Sequence, residues 1–217
     1  DHFDTNWAYG TASYSKGVVI LDQLSHIVGQ KVIDKSLKRY FDEWAYKHPN
    51  ASDFKRIVEK ESGIELDWYF EYFVNTTKTI DYSIHEIMGD EKGTQILLKK
   101  GEMPMPVEFN IVLQNGTISK YYIPTVLMRG EKDIEPSINV LPDWAWTNLY
   151  YSIRLDQVPS EIKKIQLHTT GHIADIEPLN DIVQLPDNWD WNKYKLRLNL
   201  IEKKKKGTIK KFVKIKK

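Results

Sequence analysis

The sequence predicts an α+β multidomain chain, with helices first and an antiparallel β-sandwich after them. Three observations carry this expectation. Apolar side chains recur at helical spacing as far as residue 77. From residue 78 the apolar period becomes two, in short runs separated by turn residues. Within that second part, Asn115-Gly116 sits between two alternating runs, which is the strongest short-range signal for a hairpin. The expected divisions are a helical part over 1–77, a β-sandwich over 78–186 and a basic segment over 187–217 forming a β-hairpin.

The helices follow in order. In "SKGVVILDQLSHIVG", Val18, Leu21, Leu24, Ile27 and Val28 share one face, and Gly29 is a natural C-terminal stop. "KVIDKSLKRYFDEWAYKHP" repeats the helical period through Ile33, Leu37, Tyr40, Phe41 and Trp44, and Pro49 prevents continuation. "ASDFKRIVEKESG" is a third helix, with Ser52 as the expected N-cap, Asp53 in the first turn and Gly63 at the end. "ELDWYFEYFV" makes a fourth, short and aromatic on nearly every side, so its burial is expected.

The strands come next. "TQILLKK", "VEFNIVLQNGTISKYYIPTVL", "NLYYSIRL" and "KIQLHTT" alternate or run apolar, with a two-residue hairpin tip expected at Asn115-Gly116. The tail "KYKLRLNLIEKKKKGTIKKFVKIKK" alternates leucine with charge across a lysine-rich turn. From Lys193 to Lys217 eleven lysines and Arg197 face Glu202 alone, a local charge of +11, so a net charge of +1 leaves −10 on the rest. Alternation without a helical stripe, and the lack of any recognisable nucleic-acid module, favour a lysine-lined edge hairpin over a nucleic-acid or membrane surface.

Composition excludes several chemistries. Cysteine is absent, which removes disulfides, thiolate metal sites and cysteine nucleophiles. No apolar run approaches the ~20 residues that cross a bilayer. There is no Gly-rich phosphate loop, and the Ser, His and Asp residues show no triad context. The sequence opens on Asp1 with no initiator methionine or signal-like segment, as expected of a processed or cut chain. His168 and His172 in "HTTGH" have the spacing of a helical zinc pair. However, Gly171 and the β-branched Thr169-Thr170 favour a strand end, where such residues lie about 13 Å apart. His26, among leucines, reads as a packed or surface histidine. "DNWDWNKY" reads as packing of the final segment. Asn50, Asn75 and Asn115 lie in Asn-x-Ser/Thr sequons.

The remaining question is why two tyrosines, Tyr9 and Tyr14, precede the first long helix in "WAYGTASYSKGVVILDQL". Tyrosine is a mediocre helix former, and its hydroxyl is costly to bury without a partner. The segment Ser13 to Gln30 resembles the region after the zinc site in the aminopeptidase N and leukotriene hydrolase family of zinc metallopeptidases, which carries a Tyr-x-Lys-Gly element at a helix start. "LKRYFDEWAYKHPNASDFKRIVEKESGIELDWYFEYFV" is similar to the stretch that follows in that family. "MPMPVEFNIVLQNG" and "HIADIEPLND" resemble its small β-sandwich. Together these segments span roughly residues 5 to 185.

The resemblance implies the helical end of a thermolysin-like catalytic domain followed by an Ig-like antiparallel sandwich. It implies a zinc-dependent aminopeptidase that hydrolyses peptide bonds at the N-terminus. In the family, zinc and a glutamate activate water, and a tyrosine hydroxyl donates to the oxyanion of the tetrahedral intermediate. By position Tyr14 is that catalytic tyrosine, and Tyr9 matches a tyrosine lining the substrate cleft. No His-Glu-x-x-His and no Gly-x-Met-Glu-Asn occur in the sequence. The expectation is therefore a C-terminal portion that binds no zinc itself and is inactive alone. Its implied partners are a peptide substrate and the zinc-bearing N-terminal part of the catalytic domain, with no nucleic acid and no transmembrane segment. The compartment stays unknown, with cell envelope or secretion favoured over cytoplasm. The alternative is a non-catalytic protein-binding sandwich whose basic tail contacts an anionic surface.

Overall fold

The computed structural model describes residues 3–185 and the backbone of two later strands. It divides into two compact units. The helical unit comprises Asp1–Lys78 together with Val126–Glu135 and Thr170–Ala174; the sheet unit holds the rest.

The helical unit opens with α1 (Asn6–Gly10), whose N-cap Thr5 accepts a hydrogen bond from the Ala8 amide. A π-turn (Thr11–Ser15) joins it to α2 (Lys16–Val28), and Gly29 ends α2. Then come α3 (Gln30–Trp44) and α4 (Ala51–Ser62). The N-cap of α4 is Asn50, not Ser52. Its side chain accepts from the Ser52 and Asp53 amides, while the Asp53 carboxylate accepts from the Asn50 amide. This reciprocal box satisfies donors that would otherwise lack partners, so the acid in the third helical position selects Asn50. Gly63 closes α4 in the left-handed region at φ 69°, where a side chain would be strained. The aromatic segment splits into α5 (Asp67–Tyr69) and a second π-turn (Phe70–Val74). Trp68 and Tyr69 are buried, while the later aromatics are only partly covered.

The core of this unit runs along the C-terminal half of α2, where Leu24, Ile27 and Val28 are buried with Ile33, Ile57 and Val58. Burying each such aliphatic side chain contributes about 1.5–3 kcal/mol. The expected apolar face is only half used. Leu21 is exposed and Val18 is 68% exposed, so the first two turns of α2 lie outside this core.

The sheet unit contains β1 (Tyr82–Asp90), β2 (Gly93–Lys100), β3 (Val107–Leu113), β4 (Ile118–Ile123), β5 (Ile138–Val140), β6 (Tyr150–Leu155), β7 (Ile162–Leu167), β8 (Ile182–Gln184), β9 (Tyr194–Leu198) and β10 (Phe212–Lys216). They form two five-stranded sheets, ordered β10-β9-β1-β2-β6 and β5-β4-β3-β7-β8. Alternate residues turn inward: Ile96 and Leu98 on β2, Phe109 and Ile111 on β3, Ile165 and Leu167 on β7. Among these named strands the pairing departs from the antiparallel expectation at one place. β4 and β5 run parallel, because a long connection through residues 124–137 returns the chain in the same direction.

The β3–β4 hairpin also differs in detail. Its loop has three residues, Gln114 to Gly116, with the Gly116 amide donating to Leu113 and the Leu113 amide to Thr117. Gly116 takes φ 88°, and Asn115 accepts from the Thr117 amide. A tight turn followed by a left-handed glycine makes a bulged loop in place of the two-residue tip. Of the basic segment expected over 187–217, most lies outside the described residues, as does "DNWDWNKY" apart from Tyr194. The backbones of β9 and β10 within that segment pair antiparallel.

Candidate functional site

The site is built on the junction from α1 to α2. In the π-turn, the Lys16 amide reaches back five residues to the Thr11 carbonyl. The extra residue widens the helix locally, a feature often found at functional positions. It sets Tyr9 and Tyr14 side by side, rings edge to face with centroids 5.9 Å apart, and Phe3 meets Tyr9 edge-on at 5.5 Å. Tyr9 is 46% exposed and Tyr14 66% exposed. Among the described residues, no group hydrogen-bonds either hydroxyl. Trp7 is more exposed still, and Val18 and Leu21 continue the apolar surface along α2.

The lysine of the Tyr-x-Lys-Gly element is also placed by packing. The Lys16 ammonium lies 5.3 Å from the centre of the Phe73 ring, a cation–π contact that anchors the start of α2. Phe73 stacks on Tyr69 at 5.6 Å with their planes 9° apart. Tyr69 is fully buried, and its hydroxyl donates within reach of Gln23 Oε1 at 3.2 Å and the Ile20 carbonyl at 3.3 Å. Burial, and behind it the Asp22 charge, push the Tyr69 hydroxyl well above the ordinary tyrosine range, so it stays protonated. Tyr69, Gln23 and Phe73 thus hold α2 from beneath. Sequence reasoning missed them as a group, and their only signal was the aromatic density of "DWYFEYF".

Two further contacts grip α2. His172 Nδ1 lies 2.7 Å from Asp22 Oδ1, and Lys132 donates to the His26 carbonyl at 2.9 Å. His172 is therefore engaged with Asp22, while His168 lies 3.8 Å from Asp175. His26 itself is buried at 2% exposure. The three sequon asparagines are exposed, and each is engaged locally: Asn50 caps α4, Asn75 donates to Glu71, and Asn115 accepts from Thr117.

Among the described residues, the helical unit holds no grouping of three His, Asp or Glu ligand atoms close enough to share the zinc ion that the resemblance implies, so those residues do not fit that metal.

With this geometry in view, one of the comparisons with known proteins falls on the same elements. Residues 1–73 match the peptidase family M1 domain. Aminopeptidase B of Rattus norvegicus is 34% identical over 76 residues, which cover 35% of this chain and 10% of that protein. A crystal structure of Legionella pneumophila aminopeptidase A in complex with aspartic acid shares the fold over 78% of this chain and 18% of its own, at a TM-score of 0.50 and 11% identity. The likeness to the M1 peptidase domain falls on the helical residues 1–73. It spans about a tenth of aminopeptidase B and under a fifth of the solved enzyme.

Proposed function

We propose that these residues are the C-terminal portion of a zinc-dependent aminopeptidase that cleaves peptide bonds at the N-terminus of its substrate. Tyr14 supplies the donor that stabilises the transition state. The observation that carries this reading is an exposed tyrosine hydroxyl with no hydrogen-bond partner among the described residues, held on a braced π-turn inside the segment matched to the M1 domain. A structural tyrosine in this chain looks different: Tyr69 and Tyr82 are buried and hydrogen-bonded.

In this reading the Tyr14 O–H donates to the oxygen of the scissile carbonyl as it takes on negative charge. Such a fixed donor binds the tetrahedral species better than the flat carbonyl, and that difference is what lowers the barrier. Tyr9, packed edge-on against Tyr14, lines the adjoining cleft and sets how the substrate fits. Zinc belongs to the full-length enzyme, and its ligands come from the part of the catalytic domain that precedes these residues. The exposed Trp7, Val18 and Leu21 surface is where that part packs. The sheet unit is read as an Ig-like β-sandwich serving as a structural domain.

The test compares two polypeptides against aminoacyl substrates. The 217-residue chain alone should release no amine, with or without added zinc. A polypeptide that also includes the His-Glu-x-x-His part should release it, and a chelator should stop it. Turnover by the 217 residues alone would overturn the reading.

A further inference from the structure

A second constellation lies in the sheet unit, away from either tyrosine in sequence. His168 follows the last residue of β7, Asp175 forms an isolated parallel bridge with Ile80, and Asp181 follows the 3-10 turn Pro178–Asn180. One ligand atom from each lies within 4.8 Å of the others. All three are shielded: the side chains of His168 and Asp175 are 5% and 3% exposed, and Asp181 is 4% exposed. We propose that His168, Asp175 and Asp181 together bind one divalent metal ion of the zinc or manganese type, which staples the end of β7 to the turn before β8.

The spacing supports an ion more than a direct contact. His168 Nε2 and Asp175 Oδ2 are 3.8 Å apart. A hydrogen bond would close that gap to about 2.7–3.2 Å. Two ligands of one zinc, each about 2.0–2.2 Å from it, sit roughly 3–4 Å apart. The ligands are also oriented from behind. Asp175 Oδ2 accepts from the Tyr82 amide at 2.7 Å and Oδ1 from the Glu177 amide at 2.8 Å, which leaves a lone pair on each oxygen. The His168 amide donates to Glu108, the Asp181 carbonyl accepts from Leu167, and the Tyr82 ring meets the imidazole edge to face at 5.5 Å. Outer contacts of this kind fix the direction of metal ligands.

Charge points the same way. Two ionised carboxylates this close and this shielded repel each other, and a dication between them relieves that repulsion. His168 also keeps a left-handed backbone at φ 49°, unusual for a residue other than glycine. One imidazole with two carboxylates suits zinc or manganese better than calcium or magnesium, which prefer oxygen alone.

The experiment uses the 217-residue chain, stripped with chelator, reloaded with Zn²⁺ or Mn²⁺ and desalted before the metal is counted. One ion per chain is expected, with a raised Tm. His172→Gln should retain it, because His172 is engaged with Asp22. Asp181→Asn, which keeps the shape but removes the charge, should weaken binding at least about ten-fold, since losing even an outer-shell partner costs that much. No retained ion, equal retention by Asp181→Asn, or loss in His172→Gln would each overturn the proposal. Should Asp181→Asn fail to fold, Mn²⁺ added to the unaltered chain decides. Its paramagnetism should broaden the His168 ring signals first among the six histidines, and broadening elsewhere first counts against the site.

Discussion

A Tyr69→Phe change removes one oxygen from the fully buried space beneath α2. The ring still stacks on Phe73, but Gln23 Oε1 loses its donor. A buried acceptor left unmatched costs about 1–3 kcal/mol, so Tm should fall measurably in thermal unfolding. Unchanged stability would show that the hydroxyl does not brace α2. At the same scale, Tyr9 and Tyr14 were legible as candidates through the resemblance around the Tyr-x-Lys-Gly element, since two tyrosines before a helix are by themselves as readily explained by packing. Tyr69 and Gln23 were not, since they are 46 residues apart in the chain. The His168 grouping was half visible. "HTTGH" marked its histidine, but Asp175 and Asp181 join it only through turns that carry no periodic pattern.

Among the elements, α3 and α4 are tied by charge as well as by packing. Lys35 and Arg39 on α3 reach Glu61 on α4 at 2.6 and 2.7 Å, and Tyr40 meets Phe54 edge-on at 5.3 Å. Hydrogen bonds from Lys35 and then Arg39 hold the Glu61 carboxyl below its ordinary range. A carboxylate whose folded pKa is depressed stabilises the fold above its unfolded pKa, near 4.5, and loses that contribution as pH falls through the lowered value. Glu61→Gln should therefore flatten the acid limb of the stability curve below about pH 4.5. An identical acid limb in the variant would show that the cluster adds nothing. The cap of α4 gives a second check, since Asn50→Ala should cost about 1 kcal/mol in chemical denaturation. An unaffected midpoint would contradict the reciprocal box. The helices α2, α3 and α4 followed from the 3.6-residue period, whereas the short α1 did not. The two π-turns did not, because one inserted residue leaves the apolar pattern almost unchanged. The parallel β4–β5 pair escaped for a related reason: β5 has three residues, too few to show alternation.

At the scale of the whole molecule, the change of period near residue 78 announced helices followed by sheets, and the structure shows both. What the period could not announce is that Val126–Glu135 and Thr170–Ala174, distant in sequence, belong with the helices. Those segments bring Lys132 and His172 onto α2, the helix that follows Tyr14. The central claim is that this bracing presents Tyr14 to a reacting carbonyl. The most direct measurement takes the full-length enzyme with Tyr14→Phe and records kcat and Tm on one sample. Because Tyr14 is exposed and its hydroxyl bonds to no described residue, Tm should barely move, in line with the ~0.5 kcal/mol typical of surface changes. The kcat should drop roughly 10²–10³-fold with KM little changed, since the lost donor acts on the transition state. Near-normal turnover, or a fall in stability with turnover intact in the folded fraction, would contradict the account.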